Sequence, residues 1–220
     1  MSRLITFGCS HTYGHGLEDC LLENNRPGPI PSKLAWPNHL GNMLGREVVN
    51  MSRPGASNLE ILCNILRFDF QDTDIVVTLW TDYARDLVFI PYPTGPHGVG
   101  FMPIGSWMTK ENDGVDVESW LNIHTDYDLQ TRSMISIHHA ESYLDNKNIK
   151  NKSFFVARRS PSGNDDNNID YPEFLKFNNI VDVYLWDIMF AFYDRALDGN
   201  HPGPIAQQKL AEEIYKHVNE

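Results

Sequence analysis

Two short stretches of this chain carry the side chains that hydroxyl-based nucleophilic chemistry requires. Gly8-Cys9-Ser10-His11-Thr12 places a serine just past a strand-like run, and Asp198-Gly199-Asn200-His201-Pro202-Gly203-Pro204 holds a carboxylate and an imidazole three residues apart. A serine attacks only when a base takes its proton, and the base works best when an acid orients it. Each stretch also has a plainer reading: Ser10 as a helix cap, and Asp198–His201 as a polar turn with His201 held extended by Pro202. Three-residue spacing, however, lets the carboxylate reach back to one ring nitrogen while the other faces outward. The pattern around Ser10 is G-x-S-x-T. It lacks the second glycine of the G-x-S-x-G elbow, which argues against a standard α/β-hydrolase.

Other side chains fit competing chemistry less well. His11 and His15 lie four apart, and Glu141 closely follows His138-His139, but H-E-x-x-H and paired cysteines are absent. No metal or other cofactor is therefore expected. Cys9 is a poor nucleophile candidate, because at a strand end its side chain points opposite to that of Ser10. Three cysteines (Cys9, Cys20 and Cys63) without C-x-x-C spacing read as free thiols in a reducing compartment.

The elements that must position these residues alternate between strand and helix. Arg3–Phe7 reads as a first strand and Lys33–Leu44 as a helix whose start or kink is set by Pro37. Glu47–Met51 reads as a second strand. Ser57-Asn58-Leu59-Glu60 is a capping box that opens another helix. Asp74–Trp80 is continuous and β-branched, as a buried parallel strand requires. Between Ile90 and Gly114 prolines, glycines and aromatics replace any period, so this stretch reads as a functional insertion. Asp126–Asn146 is helical in spacing, Ser153–Ala157 and Ile180–Trp186 read as strands, and an amphipathic helix runs from about Pro204. Such alternation predicts an α/β fold, a three-layer α/β/α sandwich around a central parallel sheet. A single domain over 1–220 is expected, with the irregular insertion around 90–125.

Composition narrows the partners. The 220 residues are 41% hydrophobic and 21% charged, with a net charge of −11 and no basic run. That disfavours nucleic acid and anionic membrane as main partners. No apolar stretch approaches the roughly 18 residues of a membrane span. Leu4-Ile5-Thr6-Phe7 is too short for the core of a signal peptide, so a cytoplasmic protein is expected, with carriage on a particle or non-standard export left open.

The ordered motifs resemble the conserved blocks of the SGNH (GDSL-type) hydrolases, which supply Ser, Gly, Asn and Asp-x-x-His in that order. Gly8-Cys9-Ser10 matches the first block, with Cys9 where the family often has Asp. Asn50-Met51-Ser52-Arg53-Pro54-Gly55-Ala56-Ser57 resembles the second and places Gly55 at its glycine. Leu79-Trp80-Thr81-Asp82 occupies the third, with Thr81 where the family has Asn, and Asp198–His201 matches the last. The resemblance implies a flavodoxin-like SGNH fold. It also implies Ser10 as nucleophile, His201 as general base and then acid, and Asp198 as the group orienting His201. The oxyanion would be held by the Ser10 and Gly55 N–H groups, with Thr81 or Asn58 as a side-chain donor.

The expected activity is that of a serine esterase cleaving an acyl or acetyl ester, with a small-molecule or glycan ester as substrate. A catalytically silent SGNH-like module of a larger assembly is the first alternative. A metal-dependent phosphoesterase using His11, His15, Asp198 and His201 is the second. Tyr92, Phe101 and Trp107 in the insertion offer flat apolar faces to a substrate. Trp107→Ala should therefore raise KM or change ester preference more than it lowers stability. A buried structural tryptophan would instead cost about 3–5 kcal/mol on truncation, which thermal denaturation beside ester kinetics distinguishes.

Overall fold

The computed structural model describes residues 2–91, 99–105, 108, 116–156, 175, 177–181, 183, 185–190 and 194–219. Its centre is a four-stranded parallel sheet of β1 (Arg3–Gly8), β2 (Glu47–Asn50), β3 (Ile75–Trp80) and β6 (Lys150–Phe155), in the order β2-β1-β3-β6. Every residue of β3 is buried, consistent with a parallel strand covered on both faces. Its neighbours contribute Leu4, Ile5, Phe7 and Phe154, all fully buried. Side chains of this size stabilise the fold by about 1.5–3 kcal/mol each when removed from water.

Helices flank the sheet. They are α2 (Trp36–Leu44), α3 (Asn58–Arg67), α5 (Asp126–Asn146) and α7 (Pro204–Val218), with α3 packed on α5 and α2 on α7. The chain thus has the three-layer α/β/α architecture that its alternating pattern predicts. Local chemistry sets the helix ends. Pro37 sits in the first turn of α2, where its missing N–H costs nothing, and Gly45 closes the helix in a left-handed conformation (φ 63°). The Ser57 hydroxyl accepts the Glu60 N–H at the start of α3. No described helix is long and apolar enough to cross a membrane.

Besides β6, which begins three residues before the expected Ser153, two segments differ from the expectation. Within Ile90–Gly114 the structure contains regular strand: β4 (Asp86–Pro91) pairs antiparallel with β5 (Val99–Ile104), in register from Asp86↔Ile104 to Pro91↔Val99. The ribbon is two-stranded, so it admits Pro91 and Pro103, and those residues obscured its period. Of the strand expected over Ile180–Trp186, the described residues show a parallel bridge between Ile180 and Ser153. The short helix α6 (Leu185–Phe190) begins where that strand was to end. An apolar run this short fits either a strand or a buried helix, and periodicity alone does not separate them. Between β5 and α5 lies the short helix α4 (Val117–Ile123).

All four parallel strands end at one edge. Ser10 follows β1, Thr81 and Asp82 follow β3, and Val156 follows β6. That carboxyl edge is where folds of this architecture bind ligands. The Ser57 hydroxyl is fully buried at the head of α3, so Ser57→Ala should lower stability by about 1–2 kcal/mol and Ser57→Thr by less. Urea denaturation of the two variants checks this.

Candidate active site

Ser10 opens a single helical turn, α1 (Ser10–Tyr13), directly after β1. Gly8 makes the sharp entry possible: a Cβ there would lie 3.0 Å from the Leu79 carbonyl oxygen and collide with Thr12. Cys9 is the N-cap, its side chain accepts none of the N–H groups of the turn, and it is fully buried in the main core. Ser10, the next residue, instead lines an open cavity.

That cavity has a volume of about 500 Å³, and its walls include Ser10, His11, Thr81, Asp82, Arg85 and His201. Val156, Trp186, Arg195 and Asn200 complete the lining. The two ends of the chain, 191 residues apart in sequence, therefore meet here. His11 packs its ring 5.3 Å from that of His201. Burial pushes the His11 imidazole well below its ordinary pKa, and the nearby His201 and Arg85 push it the same way.

Asp198 and His201 lie on a loop that is tied to itself and to the rest of the molecule. Ala196 N–H donates to the His201 carbonyl at 2.9 Å, and Gly203 N–H to the Asp194 carbonyl at 3.0 Å. The Asp194 carboxylate accepts the Ile205 and Ala206 N–H groups and so caps α7. Leu197 N–H donates to Gly16 O at 2.9 Å and docks the loop against the segment after α1.

Within this loop Asp198 Oδ2 lies 2.5 Å from His201 Nδ1, and Oδ1 accepts the Asn200 and His201 N–H groups at 2.9 and 3.1 Å. Burial alone would raise the Asp198 carboxyl. The N–H groups of Asn200 and His201 and the His201 ring outweigh that and hold it below the usual carboxylate range. Burial lowers the His201 pKa below its ordinary value, against the opposing pull of Asp198.

Gln207 was missed in the sequence, where it is one unremarked amide in an amphipathic helix. It is fully buried on α7. Its Nε2 donates to the His11 carbonyl at 3.2 Å, and its Oε1 accepts the Trp36 N–H at 2.9 Å. One side chain thus ties α7 to α1 and to the start of α2. Asp82, Arg85, Trp186 and Arg195 also lie in the cavity wall without any sequence signal that marks them.

Similar architecture recurs in solved structures. TesA superposes with a TM-score of 0.56 at 14% identity, over 99% of this chain and 98% of TesA. The acetyl xylan esterase Est2A from the rumen bacterium Butyrivibrio proteoclasticus gives 0.56 at 9% identity, over 99% of this chain and 63% of Est2A. A carbohydrate esterase whose active site displays divergent catalytic and non-catalytic binding functions gives 0.54 at 12%, over 99% of this chain and 64% of that protein. The chain has the SGNH-hydrolase fold. This chain spans somewhat under two thirds of the length of the two carbohydrate-active esterases. No family model and no curated protein matches the sequence.

The remaining positions singled out in the sequence fall in different places. Thr81 is buried in the cavity wall beside Ser10. Asn58 holds the Thr81 backbone from both sides: Thr81 N–H donates to Asn58 Oδ1 at 2.9 Å, and Asn58 Nδ2 donates to Thr81 O at 3.1 Å. The other Asn58 amide hydrogen goes to Ser133 Oγ at 3.1 Å. Gly55 occupies a turn with φ 79°, in a loop joined to the end of β1 by Arg53 N–H donating to Gly8 O. It is not among the residues lining the 500 Å³ cavity. Phe101 lies on β5, with the Arg67 guanidinium 4.6 Å from its ring centre. It lines a second cavity of about 300 Å³ with Tyr13, Arg53 and Glu60, separate from that of Ser10. Tyr92 and Trp107 lie outside the described residues.

His201 should titrate with a midpoint below about 6.5, its unperturbed value, because burial disfavours its charged form. Gly16→Ala should disrupt the pair: the new Cβ would lie 2.6 Å from Asp198 Cγ, at a backbone φ of 89° that side chains rarely adopt. NMR of the His201 ring checks both outcomes, through its titration midpoint and through loss of the downfield Nδ1–H proton in Gly16→Ala.

Proposed function

We propose that this protein is a serine ester hydrolase acting on a small acyl or acetyl ester, with Ser10 as nucleophile. The observation that carries the reading is the 2.5 Å contact between Asp198 and His201, placed where His201 and Ser10 line the same cavity. The SGNH fold and the esterases that share it agree with this chemistry.

In this reading His201 Nε2 takes the Ser10 Oγ proton as Oγ bonds to the acyl carbon. The carbonyl π electrons move to oxygen and form a tetrahedral oxyanion. As the oxyanion collapses, the ester C–O bond breaks, and the departing alkoxide takes the proton back from His201. Water then attacks the acyl-Ser10 ester by the same route, with His201 as base, and releases the carboxylic acid. Asp198 keeps Nδ1 protonated, fixes the tautomer and stabilises the imidazolium.

The oxyanion is assigned to the Ser10 N–H and the Thr81 hydroxyl, which share the cavity, and the Gly55 N–H, outside that lining, is the further donor that the motif resemblance implies. Asn58 acts through Thr81. With both amide hydrogens engaged, it positions that residue rather than donating to substrate itself. An O-acetylated glycan is the substrate class proposed first, because Trp186 offers a partly exposed ring in the wall of the cavity.

Ser10→Ala should abolish hydrolysis of p-nitrophenyl acetate while leaving the melting temperature nearly unchanged, and His201→Ala should be about as damaging. Asp198→Asn should retain more activity than either, and Thr81→Val should lose about 100- to 1000-fold. Treatment with EDTA should not lower the rate. Full activity in purified Ser10→Ala would refute the serine mechanism. Loss in EDTA with recovery on adding a divalent ion would point to the phosphoesterase instead.

A further inference from the structure

A third residue stands against the Asp198–His201 pair with no part in the hydrolytic reading. The His15 ring centre lies 4.7 Å from that of His201, tilted by 39°. His15, Asp198 and His201 each present one possible ligand atom, and these atoms lie within 4.8 Å of one another, each residue partly buried. We propose that these three side chains form a zinc site whose occupancy shuts off the hydrolase. The inhibition, though not the site, rests on His201 being the base of the proposed reaction.

Two neutral imidazoles and a carboxylate are a ligand set suited to Zn²⁺, with water as a fourth ligand. Metal–ligand distances of about 2.0–2.2 Å place neighbouring ligand atoms of a tetrahedral shell about 3.3–3.6 Å apart. The set must therefore draw together on its wide side and open slightly between Asp198 and His201. His15 takes up this adjustment through its side-chain torsions, because Asp198 and His201 are held by the hydrogen bonds of their own loop.

Its other ring nitrogen is already oriented. His15 Nε2 lies 3.2 Å from the Asn25 carbonyl oxygen, and donation there leaves the Nδ1 lone pair available. Metal-binding histidines characteristically make this outer contact to a carbonyl. Asp198 is fixed in place by its two N–H donors and by its packing against Gly16.

Zinc on this site removes the base whichever nitrogen of His201 it takes. On Nε2 it occupies the lone pair that would accept the Ser10 proton. On Nδ1 it displaces the hydrogen bond to Asp198, and the remaining proton sits on Nε2. In both cases Ser10 Oγ keeps its proton and no acyl-enzyme forms.

The test uses the full chain freed of metal, with ZnCl₂ as ligand in a non-coordinating buffer and p-nitrophenyl acetate as substrate. Calorimetry should show one Zn²⁺ per chain in wild type. His15→Ala and His15→Gln should each weaken binding at least about tenfold. Both variants should keep wild-type hydrolysis in EDTA and lose at least about tenfold in sensitivity to zinc, while Ser10→Ala should bind zinc like wild type.

Equal zinc affinity in wild type and both His15 variants overturns the site, whatever the catalytic results. Zinc bound at His15 without any fall in Ser10-dependent hydrolysis overturns the inhibition. Hydrolysis that zinc stimulates and that survives Ser10→Ala overturns the inhibition and the serine reading together. His15-dependent binding by a protein that hydrolyses no ester removes the esterase reading and leaves the zinc site supported.

Discussion

The arrangement at the carboxyl edge of the sheet depends on one contact, the 2.5 Å approach of Asp198 to His201. A carboxylate and an imidazole three residues apart in a loop meet this closely only if the intervening backbone turns sharply. Asp198 accepts the N–H groups of Asn200 and His201 while its other oxygen meets the ring, so a single carboxylate shapes the turn and orients the imidazole. The absence of a side chain at Gly16 lets that carboxylate pack against the segment following Ser10. Holding Asp198 ionised in partial burial takes these donors together. This is why the loop is tied down by hydrogen bonds rather than by apolar packing alone.

The sheet supplies the opposite wall. Because β1, β3 and β6 run parallel, the residues that follow them converge on one edge without any long-range design in the loops themselves. Ser10, Thr81 and Val156 come to a common cavity for that reason. Two buried amides then adjust the fit. Asn58 holds the Thr81 backbone, and Gln207 joins α7, which follows His201, to α1, which begins at Ser10. Buried amides are costly unless satisfied, and both of these make at least two hydrogen bonds. Their positions explain how a helical turn only four residues long is held in register with a loop from the far end of the chain.

Much of this was legible in the sequence. The parallel sheet followed from the β-branched run Asp74–Trp80 and the alternation of strand and helix around it, and the head of α3 from the capping box of Ser57 and Glu60, because each is a local signal with a local cause. Asp198 and His201 were legible because three-residue spacing between prolines and glycines restricts where their side chains go. His15 was grouped with this pair only in a set that also held His11, and its contact with His201 depends on where two distant loops dock. Asn58 looked like a possible oxyanion donor, and only its contacts with Thr81 and Ser133 reveal what its amide holds. The β4–β5 ribbon was obscured by Pro91 and Pro103, and Phe101 on it faces a cavity other than that of Ser10.

The central claim is that Ser10 is an activated nucleophile whose reactivity depends on His201. Incubation with a fluorophosphonate, followed by intact and peptide mass spectrometry, tests it most directly. One phosphonyl group per chain, located on Ser10 and absent in His201→Ala, is the expected result. An unlabelled Ser10 in a protein that hydrolyses esters, or labelling unaffected by loss of His201, would contradict it.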